Sequence, residues 1–358
     1  MSAGKVAVLL SGGVDSAVAA ARLKAQGYDV HGYFLALTSN LAAQREGACC
    51  SPEDASDARL VADRLEIPFQ IVNLERKFRT LVIEPYVRSY LAGETPNPCG
   101  LCNPGIKFGA FAKLVIAAAG VDFVATGHHA RAYPKDDRWV LAKAKDRDKD
   151  QSYFLFGLSQ AQLSRAIFPV GDTKKDELRV EAKRLGLAVS SKRESQDLCF
   201  VNPGRRKDLL KSLGGLDPGE IVDMEGRILG RHNGISGFTV GQRKGLGISS
   251  RKPLYVVRID GSNRRVIVGM AEDLKRKSFS IRDYNHVSKK IPDETWYPCL
   301  VKVRYRSKPA VCKMKLLGEH DVRVELDEPF GPVAPGQAAV FYKDDEVIGG
   351  GWIAVPGH

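Results

Sequence analysis

What this 358-residue sequence lacks narrows it first. No run approaches the ~18 consecutive apolar residues of a membrane span. The opening stretch Lys5-Val-Ala-Val-Leu-Leu10 breaks into Ser11-Gly-Gly13 too early for the apolar core and cleavage site of a signal peptide, so a cytoplasmic location without a membrane is expected. Internal repeats and low-complexity tails are missing. Cysteine is scarce and odd in number: Cys49, Cys50, Cys99, Cys102, Cys199, Cys299 and Cys312 make seven. That excludes a disulfide scaffold and leaves catalysis or metal binding for those that cluster. Acidic residues fall short of basic ones, 42 against 54, for a net charge of +12. Such an excess favours a polyanionic partner, because each phosphate contact releases counterions. With 44 % apolar and 27 % charged residues, the composition is that of a globular protein rather than a disordered or fibrous one.

What is present alternates. Lys5–Leu10, Asp29–Leu35, Phe69–Leu74 and Asp122–Thr126 are short apolar runs that read as buried strands. Val14–Gln26 and Glu53–Leu65 carry helical spacing between them. Strands separated by helical crossovers predict an α/β fold with a parallel, doubly wound sheet, whose ligands sit at the carboxyl ends of the strands. From about 205 to 275 glycine and short β-like runs take over, including Gly234–Gly247, Leu254–Arg258 and Arg265–Val268. Beyond 280 the period-2 alternation of Val301–Tyr305 and Val322–Leu326 predicts an antiparallel β domain, a small barrel. Three modules follow: 1–205, 206–277 and 278–358.

Ser11-Gly-Gly-Val-Asp-Ser16 falls between the first strand and its helix. Two glycines permit a sharp turn that presents amide N–H groups, and the helix adds its positive end, which suits a pyrophosphate. Ser11 and Ser16 supply hydroxyls. Asp15 is wrong for direct phosphate contact and fits holding Mg²⁺ or the loop itself. A Walker ending in Lys-Ser/Thr is absent. A plain strand-turn-helix corner also uses Gly-Gly; the full hexapeptide is far more specific and resembles the PP-loop of the ATP pyrophosphatase superfamily.

Cys99 and Cys102 form a Cys-x-x-Cys in Thr95-Pro-Asn-Pro-Cys-Gly-Leu-Cys-Asn103, and Cys199 lies in Lys192–Phe200. Thiolates are nucleophiles and soft-metal ligands, and nearby cations lower their pKa; Lys107 is the candidate for Cys102, Lys192 and Arg193 for Cys199. Alone, Cys-x-x-Cys is ambiguous between half a zinc site, a redox pair and a cluster ligand. Cys49 and Cys50 read as buried or loop residues, and Cys299 and Cys312 as core or surface positions within β-like runs. His31, His286, His320 and His358 carry no signal.

The loop at 11–16, Asn97-Pro98, Cys102-Asn103, Ile106-Lys-Phe108, Thr126-Gly-His128, Asp150-Gln-Ser-Tyr153, Ser195-Gln-Asp197, Cys199-Phe200 and Phe238–Gly247 occur in this order. Arg304-Tyr-Arg306, Pro335-Gly-Gln337 and Gly349-Gly-Gly351 complete the series. In this the chain closely resembles the bacterial tRNA-specific 2-thiouridylase family, from residue 5 to about 354.

The resemblance implies a PP-loop catalytic domain, a central tRNA-binding domain and a C-terminal barrel. It implies ATP, with Mg²⁺, on Leu9, Leu10, Ser11, Gly12, Gly13, Val14, Asp15 and Ser16, with Leu35 and Gly127 near the adenine and Asp15 in the catalytic set. ATP would adenylate O2 of the wobble uridine at position 34 of tRNAs for Lys, Glu and Gln. Cys199 would carry a persulfide received from a sulfur-relay carrier or a cysteine desulfurase, with Cys102 as nucleophile. Asn97, Pro98, Cys99, His128, Lys149, Asp150, Gln151, Tyr305, Arg306 and Gln337 match tRNA-contact positions; Arg243 and Lys244 suit phosphate. Lys143, Lys145, Arg147 and Lys149 alternate with other residues, as either an RNA contact or a solvated hairpin would. Two departures stand out: Cys99, where many members have Asp, and His129, where Tyr is usual. Cys99 also supplies a third soft ligand beside Cys102 and Cys199, as in related sulfur-inserting enzymes that hold a [4Fe-4S] cluster; cluster and persulfide routes both stay open. The competing functions are a PP-loop ligase or amidotransferase acting on a small molecule and a non-catalytic RNA-binding module.

Overall fold

β-branched and aromatic residues dominate the four short runs of the N-terminal region, and each becomes a strand or the heart of one. The computed structural model describes residues 3–38, 52–192, 200 and 217–355. In it β1 spans Lys5–Leu9, β2 Asp29–Ala36, β3 Phe69–Asn73 and β4 Phe123–Ala125; helix α1 spans Val14–Ala25 and α2 Pro52–Arg64. A hairpin of β5 (Ala130–Lys135) and β6 (Arg138–Lys143) follows, then a two-residue β7, Ala166–Ile167. Strands β3-β2-β1-β4-β7 form one parallel sheet, with Val6 of β1 paired to Val30 on one side and Phe123 on the other. The chain order reverses between β1 and β4, the place where a sheet of this kind opens a crevice.

The chain divides into two units. The first comprises Met1–Leu81, Gly100–Pro203 and Asp345–Val347; the second comprises Val82–Cys99, Gly204–Asp344 and Ile348–His358. Val82–Cys99 thus groups with the later part of the chain and Asp345–Val347 with the earlier.

In the first unit, α1 is buried almost all round, and its Ala17, Ala19, Ala20 and Ala21 explain how. Alanine has the best helix propensity and leaves room for close neighbours. The helix Lys175–Arg184 fits beside α1, fixed by Arg22, which makes a two-pronged bond to Glu181 (3.1 and 2.6 Å) and caps Pro169 O and Thr173 Oγ1. Val6, Val8, Val18, Leu23, Val30, Phe34, Val61 and Leu178 fill the core. Each fully buried side chain of this size contributes about 1.5–3 kcal/mol.

The residues from Pro98 to Ala119 form one continuous helical stretch of 22 residues, long and apolar enough to cross a membrane by those two measures alone. Ile106, Phe108, Phe111 and Val115 are instead buried in protein, and Lys107 and Lys113 interrupt the stretch.

The second unit holds two β structures. Strands β8 (Gly219–Val222), β9 (Ile228–His232), β10 (Tyr255–Asp260) and β11 (Arg265–Gly269) form a sheet in the order β10-β11-β8-β9 over Ile221, Phe238, Val256 and Val266. Gly234–Gly247 forms no strand, contrary to its β-like reading: Gly234, Gly241, Gly245 and Gly247 all take positive φ, which interrupts extended pairing. Strands β12 (Arg276–His286), β13 (Tyr297–Lys302), β14 (Ala310–Leu317), β15 (Asp321–Phe330), β16 (Ala338–Lys343) and β17 (Glu346–Ile353) run β12-β15-β14-β13-β16-β17. Pairing of β12 with β17 closes the barrel, so this module leaves no open edge. Cys299 and Cys312 are directly opposed on β13 and β14 and buried in the barrel core. Cys49, Cys50, Arg193, Ser195–Asp197 and Cys199 lie outside the described residues.

Candidate active site

The loop after β1 is held by its own hydroxyls. Ser11 N–H donates to Ser16 Oγ at 3.1 Å, and the Ser16 hydroxyl donates to Gly13 O at 3.0 Å. Gly12 takes φ +69°, and a Cβ there would lie 2.6 Å from the Asp54 carbonyl oxygen, so only glycine fits. Gly13 begins α1 without a side-chain cap, which leaves the helix's amide end to meet an anion. Gly127, just past β4, presses on the first turn of α1: a Cβ there would sit 2.5 Å from Ser16 N. Leu9, Leu10, Val14 and Leu35 are buried around this loop, Leu10 N–H bonding to Tyr33 O.

Asp15 is the best-connected side chain of the loop. Lys175, itself buried, donates to both its oxygens at 2.6 and 2.7 Å, and His129 Nε2 lies 3.2 Å from Oδ1. Burial pushes the Asp15 carboxyl up, but the hydrogen bond from His129 and the Lys175 charge outweigh it and hold the group below its ordinary value. Asp15 thus ties the loop to Lys175 and His129. No group of three His, Cys, Asp or Glu that could hold a metal occurs among the described residues. Mg²⁺ fits here as it commonly binds, through phosphate oxygens and water rather than a protein cage.

His129 also joins the loop to its neighbours in the chain. Its N–H donates to Gln151 Oε1 (2.9 Å) and its carbonyl accepts from Gln151 N–H (2.7 Å). Asp150 is buried, its carboxylate accepting from Ala144 N–H, Ser152 N–H and the Ser152 hydroxyl, so its side chain staples this loop. Lys149 is half-buried, and Arg147 reaches Asp345 at 2.6 Å.

The cysteine-bearing helix meets the same region. After Pro98–Cys102 the chain winds as a π-helix over Asn103–Phe111, a form that concentrates at functional sites. Gln162 Nε2 bonds to the carbonyls of Pro104 (2.8 Å) and Phe108 (3.1 Å), and Asn103 Nδ2 bonds to Phe154 O. Cys102 is buried and Cys99 half-buried. Lys107 Nζ comes within 3.5 Å of His128 Nε2, while His128 Nδ1 lies 2.7 Å from Thr126 Oγ1. Burial, then the Lys107 charge and His129, hold the His128 imidazole well below its ordinary range. It is therefore neutral near pH 7, with Nδ1–H donating to Thr126 and Nε2 facing the ammonium. Through Lys107 and His128 the cysteine helix and the nucleotide loop share one site.

Lys192 pairs with Asp54 and Asp57 of α2, which raise its pKa against the cost of burial; Cys199, for which it is a candidate neighbour, lies outside the described residues. In the second unit Asn97 and Pro98 are buried, and Gln337 Nε2 donates to Thr95 O at 2.9 Å. Tyr305 lies under Lys302 with the ammonium 5.7 Å from its ring, and Arg306, Arg243 and Lys244 are exposed. Lys175 went unnoticed in the sequence, since no motif marks a lysine whose partner is 160 residues away. His129 was visible only as a departure from a pattern.

Comparison with known proteins adds to this geometry. Residues 4–203 match the family described as "tRNA methyl transferase HUP domain", 207–270 its PRC-barrel domain and 276–353 an "aminomethyltransferase beta-barrel domain". Relatives named tRNA-specific 2-thiouridylase MnmA include those of Rhodospirillum centenum (45 % identical, covering 98 % of this chain and 91 % of that one) and Moorella thermoacetica (44 %, covering 97 % and 98 %). The chain belongs to the tRNA-specific 2-thiouridylase family. Whatever the wording of the domain descriptions, it is to thiouridylases that it is similar along its whole length. A solved 4-thiouridine synthetase–RNA complex with bound ATP is 17 % identical with a TM-score of 0.36, covering 58 % of this chain and 50 % of that one, a likeness too slight to build on.

Proposed function

We infer that this protein is a tRNA-uridine 2-sulfurtransferase that thiolates the wobble uridine at position 34 at the expense of ATP. The observation that carries the reading is the joining of an uncapped, glycine-turned helix end to a cysteine helix through Lys107 and His128, in a chain of this family. Ser11, Gly12, Gly13 and the α1 amides would bind the phosphates; Lys175 and His129 would keep Asp15, and so the loop, in place. Uridine O2 attacks the α-phosphorus, pyrophosphate leaves, and the oxygen that could not depart becomes part of AMP.

Sulfur then arrives from a persulfide on Cys199. Either its terminal sulfur attacks C2, expelling AMP, and Cys102 cleaves the resulting disulfide; or Cys102 attacks Cys199 first and releases hydrosulfide, which attacks C2. Both routes end with 2-thiouridine, AMP and a Cys102–Cys199 disulfide that a thiol reductant must reopen. Cys199, the third ligand an iron–sulfur cluster would need beside Cys99 and Cys102, lies outside the described residues. The donor in this reading is a persulfide-bearing carrier protein or desulfurase, the acceptors are tRNAs for Lys, Glu and Gln, and the compartment is the cytoplasm.

The test is nucleoside mass analysis of unmodified tRNA incubated with the protein, Mg-ATP and a persulfide source. Wild-type protein should form 2-thiouridine, and Cys102→Ser should form none while still releasing pyrophosphate when tRNA is added. Pyrophosphate release driven by a small acceptor in the absence of tRNA would replace this reading with a ligase.

A further inference from the structure

The segment carrying Asn97, Pro98 and Cys99 is shaped by residues of the second unit, of which only Pro335-Gly-Gln337 belongs to a motif. The helix Glu84–Leu91 ends at Ala92 and Gly93. Gly93 has φ +80°, and a Cβ on it would lie 2.9 Å from Ile259 O; a Cβ on Gly261 would lie 2.8 Å from the Ala92 carbonyl carbon. Backbone meets backbone there, at the turn after β10. Glu94 follows, its side chain only 10 % exposed, and accepts a hydrogen bond from Arg282 Nη2 of β12 at 2.8 Å. Thr95 N–H donates to Pro335 O at 2.8 Å, and Gln337 returns a bond to Thr95 O. Gly336 (φ +81°) completes the seam, since a Cβ there would meet Glu94 Cβ at 2.7 Å.

A buried carboxylate is tolerated only when paired, and breaking such a pair from one side leaves the charge stranded. Arg282 is the cation that lets Glu94 turn inward, and Glu94 in turn fixes the first residue of the stretch that runs on into the Cys102 helix. Arg282 also lies 3.8 Å from Asp283 through Nη1, a weaker and exposed contact.

We propose that Arg282, acting through Glu94, is a positioning residue for thiolation: the barrel strand sets the place of Thr95–Cys99, beyond any grip it has on RNA. The proposal rests on the reading above, in which residues 97–99 border the target base. Its rival is direct contact of the half-exposed Arg282 with a tRNA phosphate, and Glu94 separates the two, because a buried acid cannot attract RNA.

The experiment uses the full chain as wild type, Arg282→Met, Glu94→Gln and the swap Glu94→Arg/Arg282→Glu. Three quantities are read: thiolation kcat, tRNA affinity, and the rate of iodoacetamide labelling of Cys99 by peptide mass analysis without substrates. Both single variants should lose about tenfold in kcat, a loss typical of sub-ångström misplacement, with tRNA affinity within about twofold. Cys99 labelling should quicken in both. Partial recovery in the swap would tie the effect to the pair; a swap no better than the single variants weighs against a charge pair. If Arg282→Met weakens tRNA binding while Glu94→Gln changes nothing, the phosphate contact stands and the proposal falls. Unchanged Cys99 labelling in both variants also overturns it. That last readout needs no tRNA, so it reports on the seam even if the wild-type protein thiolates nothing and the functional reading itself fails.

Discussion

Between Ser11 and Ser16 the turn itself is made by the loop's own residues, and Gly127, Lys175 and His129 only brace it from outside. Between Pro98 and Phe111 the chain is shaped by side chains from elsewhere. In the loop, two serine hydroxyls, a left-handed Gly12 and an uncapped helix start define the geometry, and all are adjacent in sequence. In the cysteine helix the winding takes the π form, and the carbonyls of Pro104 and Phe108 accept a side-chain bond from Gln162, more than fifty residues later. Locally dictated geometry can be recognised from a hexapeptide. Geometry dictated at a distance cannot, even when it serves the helix that carries Cys99 and Cys102.

The sharpest way to break the first region is Gly127→Ala. The new methyl would lie 2.5 Å from Ser16 N, against backbone that cannot yield cheaply, so α1 must shift. A displacement of about 1 Å at a reacting centre costs on the order of a hundredfold in rate. Thiolation and tRNA-dependent pyrophosphate release should both fall by that much, with weakened ATP binding in a titration. Unchanged ATP affinity would mean the loop has more slack than its contacts imply.

Gln162→Leu tests the second region and should act differently. Two carbonyls lose their side-chain partner, for a destabilisation of about 1–3 kcal/mol in denaturant unfolding. ATP affinity should stay within about twofold, while thiolation falls, since the π-turns under Cys102 lose their support. Equal losses of ATP binding and thiolation would erase the distinction between the two regions.

How far the sequence could be read follows the same division. Four of the five strands of the first sheet and the nucleotide loop were legible because apolar runs and glycine spacing are local signals; the two-residue β7 was not. Phe69–Asn73 shows the limit: its apolar content suggests a buried strand, yet it is the sheet's edge, with Ile71 51 % exposed. Strand order, which decides that exposure, leaves no mark on a run of five residues. The barrel strand β15 announced itself by the alternation of Val322–Leu326, whereas Val301–Tyr305 is strand only as far as Lys302; the core placement of Cys299 and Cys312 follows from their register on β13 and β14. Lys175, Gln162 and Arg282 were invisible for a common reason: each serves a partner far along the chain. Arg147 was legible as charge but not as the partner of Asp345.

The smallest effect expected, and the most selective, concerns His128 at the junction of the two regions. Burial comes first, and the Lys107 charge and His129 add to it, in depressing its pKa well below 6.5. The sign follows from proton uptake. Above pH 6.5 the imidazole is neutral whether folded or not, and its contribution to stability is fully present. As the pH falls from 6.5 towards the depressed folded value, the unfolded chain takes up a proton that the folded one refuses, and stability drops. One such group gives a slope of at most about 1.4 kcal/mol per pH unit, and less where solvent reaches the ring. His232, whose pKa burial also lowers, adds a slope of the same sign in the second unit, whereas Asp15 acts only near and below pH 3.8. Replacing His128 with Gln should therefore flatten the loss of stability between pH 6.5 and 5 by part of that slope and leave the remainder to His232. Denaturant midpoints of the two proteins across this range decide it: parallel curves would mean that His128 takes up its proton in the folded protein as readily as in water, and that Lys107 does not hold the cysteine helix against a neutral ring.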